Sequence, residues 1–247
     1  MAPRLPPLHQ ASLLLDLDGT LLDLAPAPDA VVVPVALPDT LRTLRRLLDD
    51  AVAVVTGRPI ETVDGLLGDA VFAVAGEHGG AIRSAPGQPV RRPDLPSPEP
   101  AWLTEAARLV AAYPGTLLER KARGFALHFH AAPNAGPALR EALIAMLAGS
   151  LDFELMPAVM LWEVRPRGAD KGTAVAALMA QPPFHGRLPV FIGDDVTDED
   201  GIAAANGMGG VGLRVQDAFG DAAGVRTWLE EIAATGAWPC RSPTSTP

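Results

Sequence analysis

Apolar residues gather in short runs, each closed by a polar or glycine-containing cluster and separated from the next by a helix-length stretch. Leu13-Leu14-Leu15 is the first run, and residues 51–55 (Ala-Val-Ala-Val-Val) are the second. A continuous apolar run rich in β-branched residues suits a strand covered on both faces, as in a parallel sheet. Residues 71–74 and 190–192 repeat the pattern, and 211–215 is a further strand. Between the runs the period becomes helical. Leu41, Leu44, Leu47 and Leu48 share one face, with Asp39 or Thr40 as the expected cap. Pro59 begins a short helix, Val175, Leu178 and Met179 mark one behind Asp170-Lys171-Gly172, and residues 225–233 form the last. Pro26, Pro28 and Pro34 mark an irregular link, while residues 81–83 and 90–92 flank Pro86-Gly87 as an expected hairpin.

The alternation changes character after residues 93–100, Pro-Asp-Leu-Pro-Ser-Pro-Glu-Pro, which read as a linker. A helix bearing Leu103, Ala106, Ala107 and Val110 leads to strands at 116–119 and 125–130. A second helix, with Leu139, Leu143, Met146 and Leu147, leads to strands at 153–155 and 159–164. Helix-strand-strand thus occurs twice before Arg165-Pro166-Arg167-Gly168 closes the segment. The pattern predicts an α/β protein: a Rossmann-like parallel-sheet core interrupted by an inserted α+β domain. The expected bounds are 1–98 and 168–238 for the core and 99–167 for the insert, with a polar, Pro-rich tail at 239–247 expected to be disordered.

Composition narrows the class. The chain has 247 residues, enough to bury a real core, and a net charge of −9. With no long basic run, nucleic acid is not an expected partner, and a phosphorylated ligand would need a local positive site. Cys240 is the single cysteine, so an intrachain disulfide is impossible. No apolar run approaches the ~20 residues of a membrane span, and the run ending at Asp16 is too short for a signal peptide. A cytoplasmic protein is expected. Its oligomeric state is left open, with a monomer favoured.

The chemistry gathers where apolar runs end. Asp16-Leu17-Asp18-Gly19-Thr20 closes the first, Thr56-Gly57-Arg58 the second, and Gly193-Asp194-Asp195-Val196-Thr197-Asp198 the run at 190–192. In an open α/β sheet, ligands sit outside the carboxyl ends of the strands, so these ends would meet at one edge if their strands are parallel neighbours. Asp16, Asp18, Asp194, Asp195 and Asp198 would then crowd one crevice and require a cation or protons. Hard oxygen donors without a nearby thiol point to Mg²⁺. Glu199 and Asp200 read as solvated acids at a helix N-terminus. An ordinary Asp-Gly turn at 18–19, a solvated Lys171 and a plain N-cap at Thr56 are the alternatives.

Four motifs, Asp16-Leu17-Asp18-Gly19-Thr20, Val55-Thr56-Gly57-Arg58, Lys171-Gly172 and Gly193-Asp194-Asp195, stand in the order found in haloacid-dehalogenase-like phosphatases. The chain resembles that superfamily, with the insert in the position of its larger cap class. Gly76-Glu77-His78-Gly79, Glu119-Arg120-Lys121, Ala126-Leu127-His128 and Trp162-Glu163-Val164 are similar to the trehalose-6-phosphate phosphatase family within it. His130 and Ile202 depart from the family pattern, where arginine and phenylalanine are expected.

The resemblance implies that Asp16 is a nucleophile forming an aspartyl-phosphate, with Asp18 as general acid and base. It implies that Thr56 and Lys171 hold the phosphoryl oxygens. Mg²⁺ would be held by Asp16, the Asp18 carbonyl and Asp194, with Asp195 and Asp198 supporting the metal or Lys171. Glu119, Lys121 and Glu163 from the cap, with Gly57, Arg58, Glu77 and His78 from the core, would bind the sugar phosphate. Glu119 and Lys121 share a strand face, and a salt bridge within the cap is the alternative use of Lys121 and Glu163. The implied reaction is hydrolysis of trehalose 6-phosphate. Another sugar phosphate (sucrose 6-phosphate or mannosyl-3-phosphoglycerate) and a noncatalytic receiver-like module are the alternatives.

Overall fold

The computed structural model describes residues 4–25, 30–121 and 123–239. Pro26, Pro28, Cys240 and the rest of the expected tail lie outside them. The chain divides into two compact units, one of Met1–Pro93 with Asp170–Pro247 and the other of Asp94–Ala169.

The first unit begins with β1 (Ala11–Leu15), α1 (Leu37–Leu47), β2 (Val52–Val55), α2 (Ile60–Leu67), β3 (Ala73–Gly76) and β4 (Ala81–Arg83). In the second unit α3 (Pro100–Ala112), β5 (Leu117–Arg120), β6 (Phe125–His128), α4 (Gly136–Met146), β7 (Phe153–Ala158) and β8 (Leu161–Pro166) follow. The first unit resumes with α5 (Lys171–Met179), β9 (Leu188–Gly193), α6 (Glu199–Gly207), β10 (Val211–Arg214), α7 (Val215–Ala218) and α8 (Ala222–Thr235). No helix among the described residues is long and apolar enough to cross a membrane.

The six strands of the first unit lie in the order β10-β9-β1-β2-β3-β4, all parallel except β4, which runs antiparallel to β3. Every residue of β1 and β2 is buried, as a doubly covered sheet requires. Leu13, Leu14 and Leu15 therefore pack on both faces, with Leu41 and Leu44 of α1, Val175 and Leu178 of α5 and Leu229 and Ile232 of α8 in the same core. The parallel neighbours β9, β1 and β2 bring their carboxyl ends together, as the motif positions predict.

The second unit is a four-stranded antiparallel sheet, β5-β6-β8-β7. Phe125, Leu127, Phe153 and Val164 pack with Leu109 of α3 and Leu139 and Leu143 of α4. Because side chains alternate along a strand, Glu119 and Glu163, aligned through Ala126, belong to the opposite face.

Four local expectations need correction. Helix α1 starts at Leu37 with Ala36 as its N-cap and no side-chain cap; a proline at the first turn opens it, so Asp39 and Thr40 lie inside. Strand β3 begins at Ala73, its register set by pairing with Ala53 after a short 3₁₀ turn at Gly68–Ala70. The hairpin at 81–83 and 90–92 shrinks to one Ile82–Arg91 bridge, with amide-to-carbonyl bonds both ways (2.8 and 2.7 Å) on the edge of β4 away from β3. Glu199 is partly buried, and its Oε2 sits 2.6 Å from the Arg214 guanidinium.

Candidate active site

The loop after β1 carries Asp16 and Asp18. The Asp16 amide donates to the Ile192 carbonyl (2.9 Å), so its backbone extends the β1–β9 ladder by one step. Gly19 then turns the chain with φ at +83°, and a Cβ there would collide with the Asp194 carboxylate. Only glycine meets both conditions. Thr20 sends its hydroxyl to Asp194 Oδ1 (3.3 Å), and Gln216 Nε2 donates to the Asp194 carbonyl (2.9 Å). Sequence patterns gave no sign of those two supports.

Lys171 is the first residue of α5. Asp170 caps that helix by accepting from the Thr173 amide (2.7 Å), and the Thr173 hydroxyl accepts from the Asp170 amide (3.2 Å). The cap fixes where Lys171 starts, and its side chain is buried, only 4% exposed. Its Nζ donates to Asp16 Oδ1 and to Asp198 Oδ1, both at 2.6 Å. Asp198 is fully buried, and its Oδ2 accepts from the Asp195 amide (3.0 Å). Asp195 itself is exposed, with Oδ1 accepting from the Val196 amide (2.7 Å).

Three carboxylates, Asp16, Asp194 and Asp198, bring oxygens within 4.8 Å of one another. Set against the one ammonium of Lys171, three charges of −1 and one of +1 leave −2 in a largely buried place. Burial accordingly pushes Asp16 up to about 7, with Lys171 opposing and Asp198 adding to the rise. Burial followed by the Asp16 charge raises Asp194 to about 6. Asp198 is raised by burial against the pull of Lys171. Burial works against the Lys171 charge, but Asp16 and Asp198 outweigh it and hold the ammonium firmly protonated. Hard oxygen donors with surplus negative charge fit a divalent cation such as Mg²⁺. Asp198 offers little as a ligand, since hydrogen bonds already engage both its oxygens.

Around the β2 end, the Thr56 amide donates to the Ala75 carbonyl (2.9 Å), and Thr56 Oγ1 accepts from the Arg58 amide (3.2 Å). Arg58 grips Asp18 with two bonds, Nε to Oδ2 at 2.6 Å and a terminal nitrogen to Oδ1 at 2.7 Å. A Cβ on Gly57 would come within 2.7 Å of the His78 ring carbon Cε1, so His78 lies against this turn. Glu77 and His78 both take left-handed backbone conformations (φ 53° and 54°), and Glu77 pairs with Arg92 at 2.9 Å.

In the second unit, Lys121 Nζ lies 2.8 Å from Glu163 Oε1, and Glu119 Oε2 lies 2.8 Å from His128 Nε2. The His128 contact lowers the Glu119 pKa. The His128 and His130 rings stack with centroids 6.4 Å apart. In the sequence His128 stands out only as the end of Ala126-Leu127-His128. Its pairing with Glu119 comes from antiparallel register, which places His128 opposite Leu117, two residues away.

This architecture is the fold of haloacid-dehalogenase-like proteins. The fold is similar to that of a haloacid dehalogenase-like hydrolase from Bacteroides thetaiotaomicron (TM-score 0.57, 13% identity, 79% of this chain and 84% of that one). It is also similar to the C-terminal domain of trehalose-6-phosphate phosphatase from C. albicans (TM-score 0.73, 21% identity, 92% and 93%). The profile of the trehalose-phosphatase family matches residues 14–218, and the chain belongs to that family. It is 40% identical to a probable trehalose-phosphate phosphatase of Sinorhizobium fredii, over 83% of this chain and 77% of that protein. It is 37% identical to the trehalose-6-phosphate phosphatase of Escherichia coli, over 88% and 84%.

Proposed function

We propose that the chain hydrolyses trehalose 6-phosphate to trehalose and phosphate, with Mg²⁺, through an aspartyl-phosphate on Asp16. The observation that carries this reading is the buried Asp16–Lys171–Asp198 chain beyond β1 and β9 in a member of the trehalose-phosphatase family. A carboxylate is a competent nucleophile toward phosphorus once its charge is managed. Asp16 attacks, the bond from phosphorus to the sugar oxygen breaks, and the departing oxygen takes a proton from Asp18. Water then attacks the aspartyl-phosphate and gives its proton to Asp18, and the electron pair of the broken P–O bond returns to Asp16.

Lys171 orients Asp16 and, with the Thr56 hydroxyl, holds phosphoryl oxygens as charge shifts. Asp198 keeps the ammonium in place, and Asp195 supports Asp198 through its amide. Asp16, Asp194 and the Asp18 carbonyl would hold Mg²⁺. When bound, the ion lets an anionic nucleophile approach an anionic phosphate. Gly57, Glu77 and His78 serve the substrate side of the first unit, while Arg58 acts through Asp18. Glu119, Lys121 and Glu163, with residues 99–167 as a cap, supply donors and acceptors for sugar hydroxyls. In free protein the Lys121–Glu163 and Glu119–His128 pairs keep these charges satisfied.

Phosphate release with and without Mg²⁺ tests the reading, using trehalose 6-phosphate, sucrose 6-phosphate and mannosyl-3-phosphoglycerate side by side. Mg²⁺-dependent turnover with the highest kcat/KM for trehalose 6-phosphate is expected. Preference for another sugar phosphate would overturn the substrate, and no turnover of any would overturn the enzyme.

A further inference from the structure

We infer that Arg58 is a positioning residue for Asp18, holding its carboxylate in the plane from which it exchanges protons. The role rests on the reaction proposed above, with Asp18 as its proton-transfer group. The contact is a fork: Nε to Oδ2 at 2.6 Å and a terminal nitrogen to Oδ1 at 2.7 Å. Two parallel charge-assisted bonds fix the rotation of a carboxylate as well as its place. The side chains are only 15% and 31% exposed, so bulk water does not dissolve the pair. A carboxylate has about four lone-pair sites, and the fork uses two of them. One remaining site carries the proton that passes to the leaving sugar oxygen, and the same site later takes the proton of the attacking water.

The arginine is itself anchored. Its amide donates to Thr56 Oγ1 (3.2 Å), and its carbonyl accepts from the Glu77 amide (3.1 Å). A Cβ on Gly76 would come within 2.7 Å of that carbonyl, so β3 presses on the Arg58 backbone. The fork thus springs from a fixed base between the ends of β2 and β3 and reaches the loop after β1. A surface arginine recruited only by substrate phosphate would need none of this. Lysine at the position would keep the charge but lose the fork.

The test uses the full chain with Mg²⁺ and five forms: wild type, Arg58→Lys, Arg58→Ala, Asp18→Asn and the Arg58→Ala/Asp18→Asn double variant. Substrates are trehalose 6-phosphate and p-nitrophenyl phosphate, whose nitrophenolate leaves without a proton donor. Arg58→Ala should lower kcat for the sugar phosphate by ~10²-fold, the low end of a lost acid–base group, with KM changed less than about threefold. With the aryl phosphate it should give a burst of about one nitrophenolate per enzyme and then slow turnover, because only water activation is impaired. The double variant should be no slower than Asp18→Asn alone, since residues acting as a unit are not additive. Arg58→Lys, folded as judged by its melting curve, should fall between wild type and Arg58→Ala. A rise in KM at constant kcat, or a double variant slower by the product of the single effects, would overturn the role. The same aryl-phosphate pattern in a wild type that ignores trehalose 6-phosphate would leave Arg58 its role and overturn only the substrate. Failure of wild type to turn over either substrate would overturn both.

Discussion

At the residue scale the site is a problem of surplus negative charge. Asp16 and Asp194 have pKa values raised from 3.8 to about 7 and about 6. A native state with raised carboxylate pKa values holds more protons than the unfolded chain between about pH 4 and 7, so stability falls as pH rises through that window. The stability these protons supply is full below pH 4 and lost by about pH 7. Bound there as proposed, Mg²⁺ would take the place of the protons, so its effect on Tm should be small at pH 5 and grow toward pH 7.5. Melting curves at several pH values with and without Mg²⁺ check this; a Mg²⁺ shift independent of pH would place the ion away from these carboxylates. Asp16→Asn should abolish turnover, because an amide cannot take up the phosphoryl group, and a phosphate-release assay reads the loss. Lys171→Met should do the same and should also destabilise the metal-free protein. Removing one partner of a buried ion pair typically costs about 3–5 kcal/mol, read here from denaturant midpoints.

At the element scale, function depends on where helices and strands begin. Asp170 and Thr173 reciprocally cap α5, and Lys171 is the next residue after the cap. Asp170→Ala should cost about 1 kcal/mol of stability and lower kcat more than a remote cap would, because it loosens the start of the helix that carries Lys171. The helix start was visible in Asp170-Lys171-Gly172, but the reciprocal cap through Thr173 and the burial of Lys171 were not. On the four-stranded sheet, Lys121 and Glu163 face each other at 2.8 Å. Glu163→Ala or Lys121→Ala should cut kcat/KM for trehalose 6-phosphate while hardly changing hydrolysis of p-nitrophenyl phosphate. A site built to bond hydroxyls discriminates strongly against substrates that lack them. Equal losses on both substrates would assign the pair to holding the sheet together.

At the scale of the whole molecule there are two cores. Trp228 and Trp238 pack in the core of the first unit, and Trp102 and Trp162 in that of the second. With separate cores, unfolding should depart from one all-or-none transition. Fluorescence of a Trp102→Phe/Trp162→Phe variant and of a Trp228→Phe/Trp238→Phe variant should give different denaturant midpoints. Coincident midpoints would mean that the units unfold together.

The order of apolar runs fixed the sheet class and the interrupted organisation. Parallel strands covered on both faces must be continuously apolar, and the insert must change the period. The residues that end those runs also marked where Asp16, Asp194 and Asp198 gather, because a strand stops being apolar where it leaves the core. Local signals ran out where pairing partners lie far apart in the chain. Nothing around Arg58 says that it grips Asp18, 40 residues earlier, and the support Asp198 gives Lys171 was implied only by the resemblance. The pairing of β4 with β3 has the same origin, since the expected hairpin partner at Arg91 is local and β3 is reached only through the sheet. Sequence determined which chemical groups stand at strand ends, because polarity and period are local properties. Only the tertiary structure decided which of those groups neutralise one another, because a charge answers to its nearest opposite in space.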